Sequence, residues 1–296
     1  MTGFFRAGFN QPEQIKDYLA AMSLPAVGSF GASTTCVEFK SEKSRIIIDG
    51  GSGIRSFGDY VVGKGEGRGP FHIFLTHFHW DHLIGLPFFS PHFFPGTEIH
   101  YYAVQPELEE VVKANFKKPN FPVPFEALRS HIHFHQLEPR KPFVIDDIEV
   151  TPYKLDHPDP CWGFRIVSGG KVYSHCVDTE CTRQTREDMG PDLPLYQGAD
   201  LLYFDAQYTL PELADKASWG HSAAQIGIDI AFREEVKYIL FAHHDPGAST
   251  QHVYHLIDQT RDFYQMRVKS RRDSGELHNL KWKFAYEGLE VDLWKL

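Results

Sequence analysis

Short apolar runs bounded by glycine, proline or charged residues recur along the chain. Runs of this length, rich in β-branched and aromatic residues, predict strands. Strands are predicted at residues 34–39, 44–49, 73–75, 98–103, 131–136, 148–155, 164–167, 171–176, 201–204, 238–242, 281–286 and 289–293. Helices are predicted at residues 12–22, 106–115, 222–233 and 250–268, and a short apolar helix with a loop at residues 83–94. Because strands come in runs in both halves with a few helices between them, we expect an α/β protein with two sheets packed face to face and helices outside.

Glycine-rich and phenylalanine-rich segments interrupt this pattern. Residues 50–53, Gly-Gly-Ser-Gly, predict a tight turn after a buried strand, and residues 63–69 predict a flexible loop. A phosphate-binding role for the second segment is disfavoured because no helix signal follows it. The chain, residues 1–296, is expected to form one domain. An insertion around residues 105–130, rich in Phe and Pro, is expected to act as a lid or as a contact between two copies of the chain.

Composition narrows the class of protein. The 296 residues are 42% hydrophobic and 23% charged, which is typical of a globular protein with a sizeable core. The net charge of -9 disfavours binding of long nucleic acids, although a small phosphate ligand held by metal ions remains compatible. The four cysteines form no CxxC pair, so we expect reduced thiols. No signal peptide or membrane span is recognised, and the cytoplasm is the expected compartment.

Four potential metal ligands lie within six residues, directly after one apolar run. The segment reads His77-Phe-His79-Trp-Asp81-His82. Alternate residues of an extended chain point the same way, so His77 and His79 can bind one ion. Asp81 and His82 fall where the chain turns and can face a second ion. Imidazole with carboxylate suits zinc, iron or manganese.

Further polar residues end other predicted strands. They are Asp49, His157, Asp178 and His243. Loops held at strand ends by a rigid core are where a sheet scaffold places chemistry. Any one of these residues alone is more often a turn residue. Together with the histidine cluster they indicate a metal site.

These five motifs, in this order, resemble those of the metallo-β-lactamase superfamily, and they span residues 49–243. The resemblance implies an αββα sandwich with a dinuclear metal site at one edge. It identifies the family more specifically than the substrate, because one fold hosts many reactions. Several true β-lactamases carry Cys where this chain has Asp178. A carboxylate there is the pattern of the phosphodiesterase branch and of other binuclear hydrolases.

The resemblance also implies the ligands of two divalent ions, expected to be zinc, with manganese or iron as alternatives. Those of the first ion would be His77, His79 and His157. Those of the second ion would be Asp81, His82 and His243. The Asp178 carboxylate would bridge both ions, and Asp49 would orient the metal-binding loop through hydrogen bonds.

The segment Trp219-Gly-His221-Ser222 resembles a helix start in the ribonuclease Z and cyclic-nucleotide phosphodiesterase branch. There the histidine reaches the scissile phosphate, so His221 is an expected catalytic residue. Asp81, an expected metal ligand, is the other expected catalytic residue. The alternative is that Ser222 simply caps the helix that follows. Both can hold together.

Two features disfavour processing of transfer RNA. His157 and Asp178 are 21 residues apart, which leaves room for a hairpin but not for the RNA-gripping arm of the bacterial ribonuclease Z enzymes. The chain is also acidic. A small cyclic nucleotide is the expected substrate. The alternatives are a cyclic phosphate sugar, as in PhnP-like proteins, another ester, thioester or lactone, and a binding module without catalysis.

The aromatic content of 14% suggests a wall on which a base could stack. The candidates are Phe88, Phe89, Phe93, Phe94, Phe121 and Phe125. Each of them alone is more readily explained as a core residue or a dimer contact.

Overall fold

The computed structural model describes residues 22, 25, 29–275 and 279–296. The helix predicted at residues 12–22 therefore lies outside the described residues, apart from its last position. Two sheets form the centre of the described part. The N-terminal sheet contains, in spatial order, β1 (Val37–Lys40), β2 (Arg45–Ile48), β3 (Phe71–Phe74), β4 (Glu98–Ala103) and β5 (His131–Gln136). β1 runs antiparallel to β2, and the other neighbours are parallel.

The C-terminal sheet has seven strands, in the spatial order β12-β11-β10-β9-β8-β7-β6. Their bounds are β6 (Phe143–Ile145), β7 (Ile148–Lys154), β8 (Trp162–Ser168), β9 (Lys171–Cys176), β10 (Leu201–Asp205), β11 (Tyr238–Ala242) and β12 (Lys281–Phe284). β9 to β12 are parallel to their neighbours within that group, whereas β6 to β9 are antiparallel. Both sheets are therefore mixed, as the fold prediction requires.

Helices cover the outer faces of the two sheets. They are α1 (Gly53–Gly63), α2 (Trp80–Leu83), α3 (Leu108–Asn115), α4 (Arg186–Met189), α5 (Leu210–Asp215), α6 (Ala224–Arg233) and α7 (Thr250–Asp273). Short 3₁₀ helices lie at Leu86–Phe88, Ser90–Phe93, Phe125–Ala127, Gly190–Leu195 and Leu293–Lys295. No helix among the described residues is both long enough and apolar enough to cross a bilayer.

Three buried clusters match a four-layer arrangement. Phe74 of the N-terminal sheet and Phe164 of the C-terminal sheet belong to the cluster between the sheets. A second cluster packs α1 and α3 on the N-terminal sheet, and a third packs α6 and α7 on the C-terminal sheet. The predicted αββα sandwich is confirmed. Burial on both faces explains the continuously apolar runs, such as Ile46 to Ile48, that predicted the central strands.

Several predicted elements need correction. Residues 289–292 have no regular secondary structure and Leu293 begins a 3₁₀ helix, so the strand predicted there is wrong. The glycine turn at residues 50–53 is followed by α1, which was not predicted, and β6 was also missed. The helices predicted from residues 106 and 222 begin two residues later, at Leu108 and Ala224.

Candidate metal centre

Three strand-end residues of the site have a left-handed backbone. Asp49 follows β2, Asp178 lies beyond β9 and His243 follows β11, with φ of 63°, 58° and 61°. This conformation costs a non-glycine residue on the order of 1–3 kcal/mol and persists only where the surroundings hold it. The amide of Asp49 donates to the Phe74 carbonyl at 2.8 Å, and the amide of Asp178 donates to Asp205 Oδ2 at 3.0 Å. The backbone therefore turns these side chains towards one edge of the sandwich.

The first predicted ligand group is brought together. Ligand atoms of His77, His79 and His157 lie within 4.8 Å of one another. Asp159 orients two of these rings, because Nε2 of His79 lies 2.8 Å from its carboxylate and Nδ1 of His157 lies 3.0 Å from its carbonyl oxygen. Three converging imidazoles match the ligand type that zinc prefers.

The second predicted group is also brought together. Ligand atoms of Asp81, His82, Asp178 and His243 lie within 4.8 Å of one another. Oδ2 of Asp81 is 3.3 Å from Nε2 of both His82 and His243. α2 supplies Asp81 and His82, so one short helix places two neighbouring residues on this group.

Asp178 lies between the two groups. Its Oδ2 is 3.2 Å from Nε2 of His77 and 2.6 Å from Nε2 of His82. Its Oδ1 is 3.1 Å from Nε2 of His243. One carboxylate thus contacts histidines of both groups, which is the position predicted for a bridging ligand.

Unsatisfied polar atoms test whether the residues fit metal ions. Nε2 of His77, Nε2 of His157 and Oδ1 of Asp178 are buried and make no hydrogen bond within the described part of the chain. Buried polar atoms are normally paired, and exceptions need an explanation. Lone pairs that converge without pairing are what a ligand set presents to cations. The donor set therefore fits two divalent ions.

Electrostatics in the protein alone agree with this fit. Burial opposes the charged form of His82 and of His243. At His82 the carboxylates of Asp178 and Asp49 together outweigh burial, and at His243 those of Asp178, Asp81 and Asp205 do so. The pKa of His82 is raised well above its usual value, and that of His243 is raised to about 9. Without metal ions, protonated histidines thus neutralise the negative charge of the carboxylates, a role that bound cations would take over.

Asp49 joins the β2 end to the histidine loop. Its carboxylate accepts hydrogen bonds from the amide of Thr76 at 2.9 Å and from the Thr76 hydroxyl at 3.0 Å. It also lies 2.8 Å from Nδ1 of His82, which turns Nε2 of that ring towards Asp178. All three residues are fully buried. These contacts are the ones an orienting residue needs.

Asp205, which the sequence analysis did not select, has the same kind of role at the end of β10. Its carboxylate accepts hydrogen bonds from the amides of Asp178, Gln207 and Ser222 at 3.0, 3.2 and 3.0 Å. It is also 2.9 Å from Nδ1 of His221. The signal was present in the sequence, because Asp205 ends an apolar strand as Asp49 does.

His221 lies beside the second ligand group. Its Nδ1 is 3.4 Å from Oδ1 of Asp178, and its ring stacks on that of His243 with centroids 5.0 Å apart. The alternative capping role of Ser222 is wrong. α6 starts at Ala224, its N-cap is Ala223, and the Ser222 hydroxyl has no partner among the described residues.

Glycines permit the close approach of the ligand loops. A Cβ on Gly85, just after α2, would lie well inside van der Waals contact of the Gly51 carbonyl. The Gly85 amide instead donates to the Gly50 carbonyl at 2.9 Å. Gly220, with φ of +86°, packs against the ring of His157, where a Cβ would overlap it. These glycines let backbone approach backbone and imidazole.

The predicted phenylalanine wall is only partly surface. Phe89 is fully buried, whereas Phe88 is 52% exposed and packs edge-on against Phe121. Two exposed tryptophans next to the ligand loops were not among the aromatic residues predicted to bind a base. Trp80 separates His79 from Asp81 and is 67% exposed, and Trp219 is 60% exposed.

Trp219 belongs to a small aromatic and cationic group beside His221. The ammonium of Lys216 lies 4.1 Å from the centroid of the Tyr208 ring and 5.3 Å from that of Trp219. The Tyr208 ring packs edge-on against His221, with centroids 5.7 Å apart. We call Tyr208, Lys216 and Trp219 the aromatic patch.

The family profile described as "Beta-lactamase superfamily domain" matches residues 44–244. Ribonuclease Z of Staphylococcus carnosus (strain TM300) is 25% identical over 174 residues, which are 56% of this chain and 53% of that relative. The match thus spans about half of that relative's length. The solved structure of the metallo-beta-lactamase fold protein YhfI from Bacillus subtilis has a TM-score of 0.62 at 17% identity, over 87% of this chain and 90% of YhfI. Unliganded yeast PDE1 has a TM-score of 0.59 at 15% identity, over 86% of this chain and 93% of PDE1. The two structures show a shared fold.

Proposed function

The chain belongs to the beta-lactamase superfamily, and on that basis we propose that it is a dinuclear metal-dependent hydrolase of phosphodiesters, with a small cyclic nucleotide as the favoured substrate. The convergence of two ligand groups on Asp178 carries this proposal. The first ion would be held by His77, His79 and His157. The second would be held by Asp81, His82 and His243. Zinc is the favoured metal for this donor set, and manganese or iron are alternatives.

The residues around the ions suit hydrolysis of an anionic ester. When bound, two divalent ions supply Lewis acidity, which activates water and neutralises charge on phosphoryl oxygens. Asp205 holds Nδ1 of His221, so Nε2 is the ring atom that can give a proton to a leaving oxygen. We propose that His221 acts as this acid and that Asp81 orients the second ion towards the reacting group.

The aromatic patch supports a nucleotide as substrate. A base can stack on the exposed ring of Trp219, and the Lys216 ammonium supplies a positive charge close to His221. Lys216 is 3.6 Å from Asp245, so its charge is shared and its attraction for a phosphate is local. We therefore place the base on the aromatic patch and the phosphate between His221 and the ions.

The chain between His157 and Asp178 supports a small substrate over a long one. These residues form only the hairpin of β8 and β9, with its turn at Gly169 and Gly170. No arm extends from this part of the chain. The net charge of -9 also disfavours a long polyanion. RNA cleavage is nevertheless the second candidate, because the curated relative is a ribonuclease Z.

A panel of substrates tests the proposal. Zinc-loaded protein should hydrolyse bis(p-nitrophenyl) phosphate and at least one 3′,5′- or 2′,3′-cyclic nucleotide. The panel should include a cyclic phosphate sugar, a lactone, a thioester and an RNA precursor. Exclusive cleavage of RNA or of the lactone would replace the small phosphodiester by that substrate. Metal binding without any turnover would instead favour a binding module.

Trp219 offers a sharper test of the nucleotide. Trp219→Ala should raise KM for the cyclic nucleotide roughly 5- to 100-fold, the effect of losing ~1–3 kcal/mol of base stacking. KM for bis(p-nitrophenyl) phosphate, which has no base, should change less. The matched control is Trp294→Ala, because Trp294 is also exposed but packs near Gly169, at the tip of the hairpin. Equal effects of the two variants would argue against stacking at the aromatic patch.

A further inference from the structure

A second group of metal-ligand side chains lies on the N-terminal sheet, outside the centre described above. It consists of Glu98 and His100 on β4 with His131 and His133 on β5. In both strands these residues alternate with core residues. Ile99 and Tyr101 are buried against the outer helices, so the alternate positions face the opposite side of the sheet.

Strand register brings the four side chains into two adjacent rows. Glu98 pairs with His131, and His100 pairs with His133. β3 adds a third imidazole to the second row, because His72 pairs with His100. Neighbouring strands of a sheet lie about 4.7–4.9 Å apart, so paired side chains on one face are close enough to share one ion.

The side-chain contacts in the structure are as close as this register implies. The two carboxylate oxygens of Glu98 are each 2.7 Å from a ring nitrogen, one of His131 and one of His133. The rings of His100 and His133 stack with centroids 4.6 Å apart. One ligand atom from each of Glu98, His100 and His133 lies within 4.8 Å of the others.

This group is accessible and lies far from the first centre. The side chains of His131 and His133 are 65% and 46% exposed, so an ion can enter from solvent. The group lies towards the starts of parallel strands whose opposite ends carry the ligand loops. His72 on β3 and His77 beyond the end of that strand are five residues apart, which is at most roughly 16 Å of extended chain.

We propose that Glu98, His100 and His133 form a separate binding site for a divalent transition-metal ion of the zinc type. Two imidazoles and a carboxylate are borderline ligands that suit Zn²⁺, Ni²⁺ or Cu²⁺ rather than Mg²⁺ or Ca²⁺. Three protein ligands leave a fourth tetrahedral position, and His131 is placed to reach it.

The proposed ion would join the edge strand of the sheet to its neighbour. β5 pairs only with β4 within the described part of the sheet. A link between Glu98 or His100 on β4 and His133 on β5 crosses this single pairing. The ion therefore stabilises a strand edge that is otherwise open to fraying.

Metal counting tests the site. Equilibrium dialysis of the full chain against rising free Zn²⁺ should show one more ion per chain in the parent than in the double variant His100→Ala/His133→Ala. Glu98→Gln keeps the size of the side chain and should also lose that ion. The control is His255→Ala, which removes an exposed histidine of α7 and should keep the parent count. The comparison is a difference, so it holds whether the first centre binds one ion or two.

Amide hydrogen exchange gives a second readout that does not depend on activity. Zn²⁺ should slow exchange across β5 in the parent and in His255→Ala, but not in Glu98→Gln. Unchanged metal counts in both cluster variants would overturn the proposal. A parent that binds no more zinc than the double variant would also overturn the proposal, because the histidines would then only stack and pair with Glu98.

Discussion

His221 and Asp205 form the pair on which the proposed acid catalysis depends. His221→Ala should leave the metal ligands and the fold intact. Turnover of a cyclic nucleotide should fall by about 10²–10⁴, the range for loss of a positioned acid. The loss should be smaller for bis(p-nitrophenyl) phosphate, because p-nitrophenolate leaves without protonation. Steady-state rates on both substrates with one variant distinguish the roles. Equal losses would indicate charge stabilisation alone, and no loss would remove His221 from the mechanism.

Asp205 should act through His221 rather than on the substrate. Asp205→Asn keeps the shape of the side chain but removes the charge that fixes Nδ1 of His221. We expect lower kcat with a smaller change in KM, and the same dependence on the leaving group as in His221→Ala. Combining the two substitutions should cost less than the sum of the separate losses, because they share the contact with His221, while Asp205 also holds the amides of Asp178 and Ser222. Additive losses would show that Asp205 acts independently.

Asp49 should govern metal affinity. Asp49→Asn retains the hydrogen bond to Thr76 but weakens the contact that orients His82. Loss of such an orienting contact typically lowers metal affinity roughly 10–100-fold. Competition with a chromophoric chelator measures this directly. Affinity equal to that of the parent would show that His82 is oriented by Thr76 and the backbone alone.

At the scale of elements, the site depends on the approach of α2 to the loop after β2. Gly85→Ala would place a methyl group against the Gly51 carbonyl, so the two loops must separate. We expect a lower unfolding temperature and weaker metal binding. Gly63→Ala is the matched control, because a Cβ at the end of α1 meets nothing within 4 Å. It should be neutral or stabilising by up to ~1 kcal/mol. Similar behaviour of the two variants would contradict the close-approach argument.

Elements were predictable where burial imposes a period. β4, β5, β9 and β11 match their predicted bounds because their apolar and polar positions follow the two faces of a sheet. α1 was not predicted, because glycines at its start, middle and end are typical of turns. Gly58 packs closely against the next layer, since a Cβ there would lie 3.0 Å from the Phe89 ring and that ring would have to shift. The spacing of apolar residues along the sequence does not reveal such close contacts between elements.

At the scale of the whole molecule, the ligands come from both sheets. His77 to His82 follow β3, whereas His157, Asp178 and His243 follow strands of the C-terminal sheet. Metal binding should therefore stabilise the packing of the sandwich edge. Two ions, each at about 100 times its Kd, contribute roughly 5 kcal/mol, or on the order of 10 °C in Tm. Differential scanning calorimetry with and without chelator measures the shift. In Asp178→Asn, chelator should lower the Tm by less than it does in the parent. A parent Tm that chelator leaves unchanged would contradict stabilisation by metal.

More of the residues of the candidate centre than of its surroundings could be predicted from the sequence. Every ligand predicted from the resemblance lies in one of the two groups. The motif residues follow strand ends, and these strand ends meet at one edge of the sandwich. Asp205 had the same strand-end signal as Asp49, whereas the residues of the aromatic patch were missed for a different reason. Their roles depend on contacts between segments distant in sequence, such as Tyr208 with His221 across α5. Which segments meet is decided by the packing of loops, and no local pattern encodes it.

The position of Trp80 gives the protein a built-in optical reporter. Its indole occupies the residue between two predicted ligands, His79 and Asp81, and it is mostly exposed. The chain has four other tryptophans, and Trp282 packs in the distant cluster against Phe241 and Phe284. Paramagnetic ions such as Co²⁺ quench indole emission at short range, whereas Zn²⁺ does not. At the proposed centre, replacement of Co²⁺ by Zn²⁺ should therefore raise the emission of Trp80, which can be followed without any substrate.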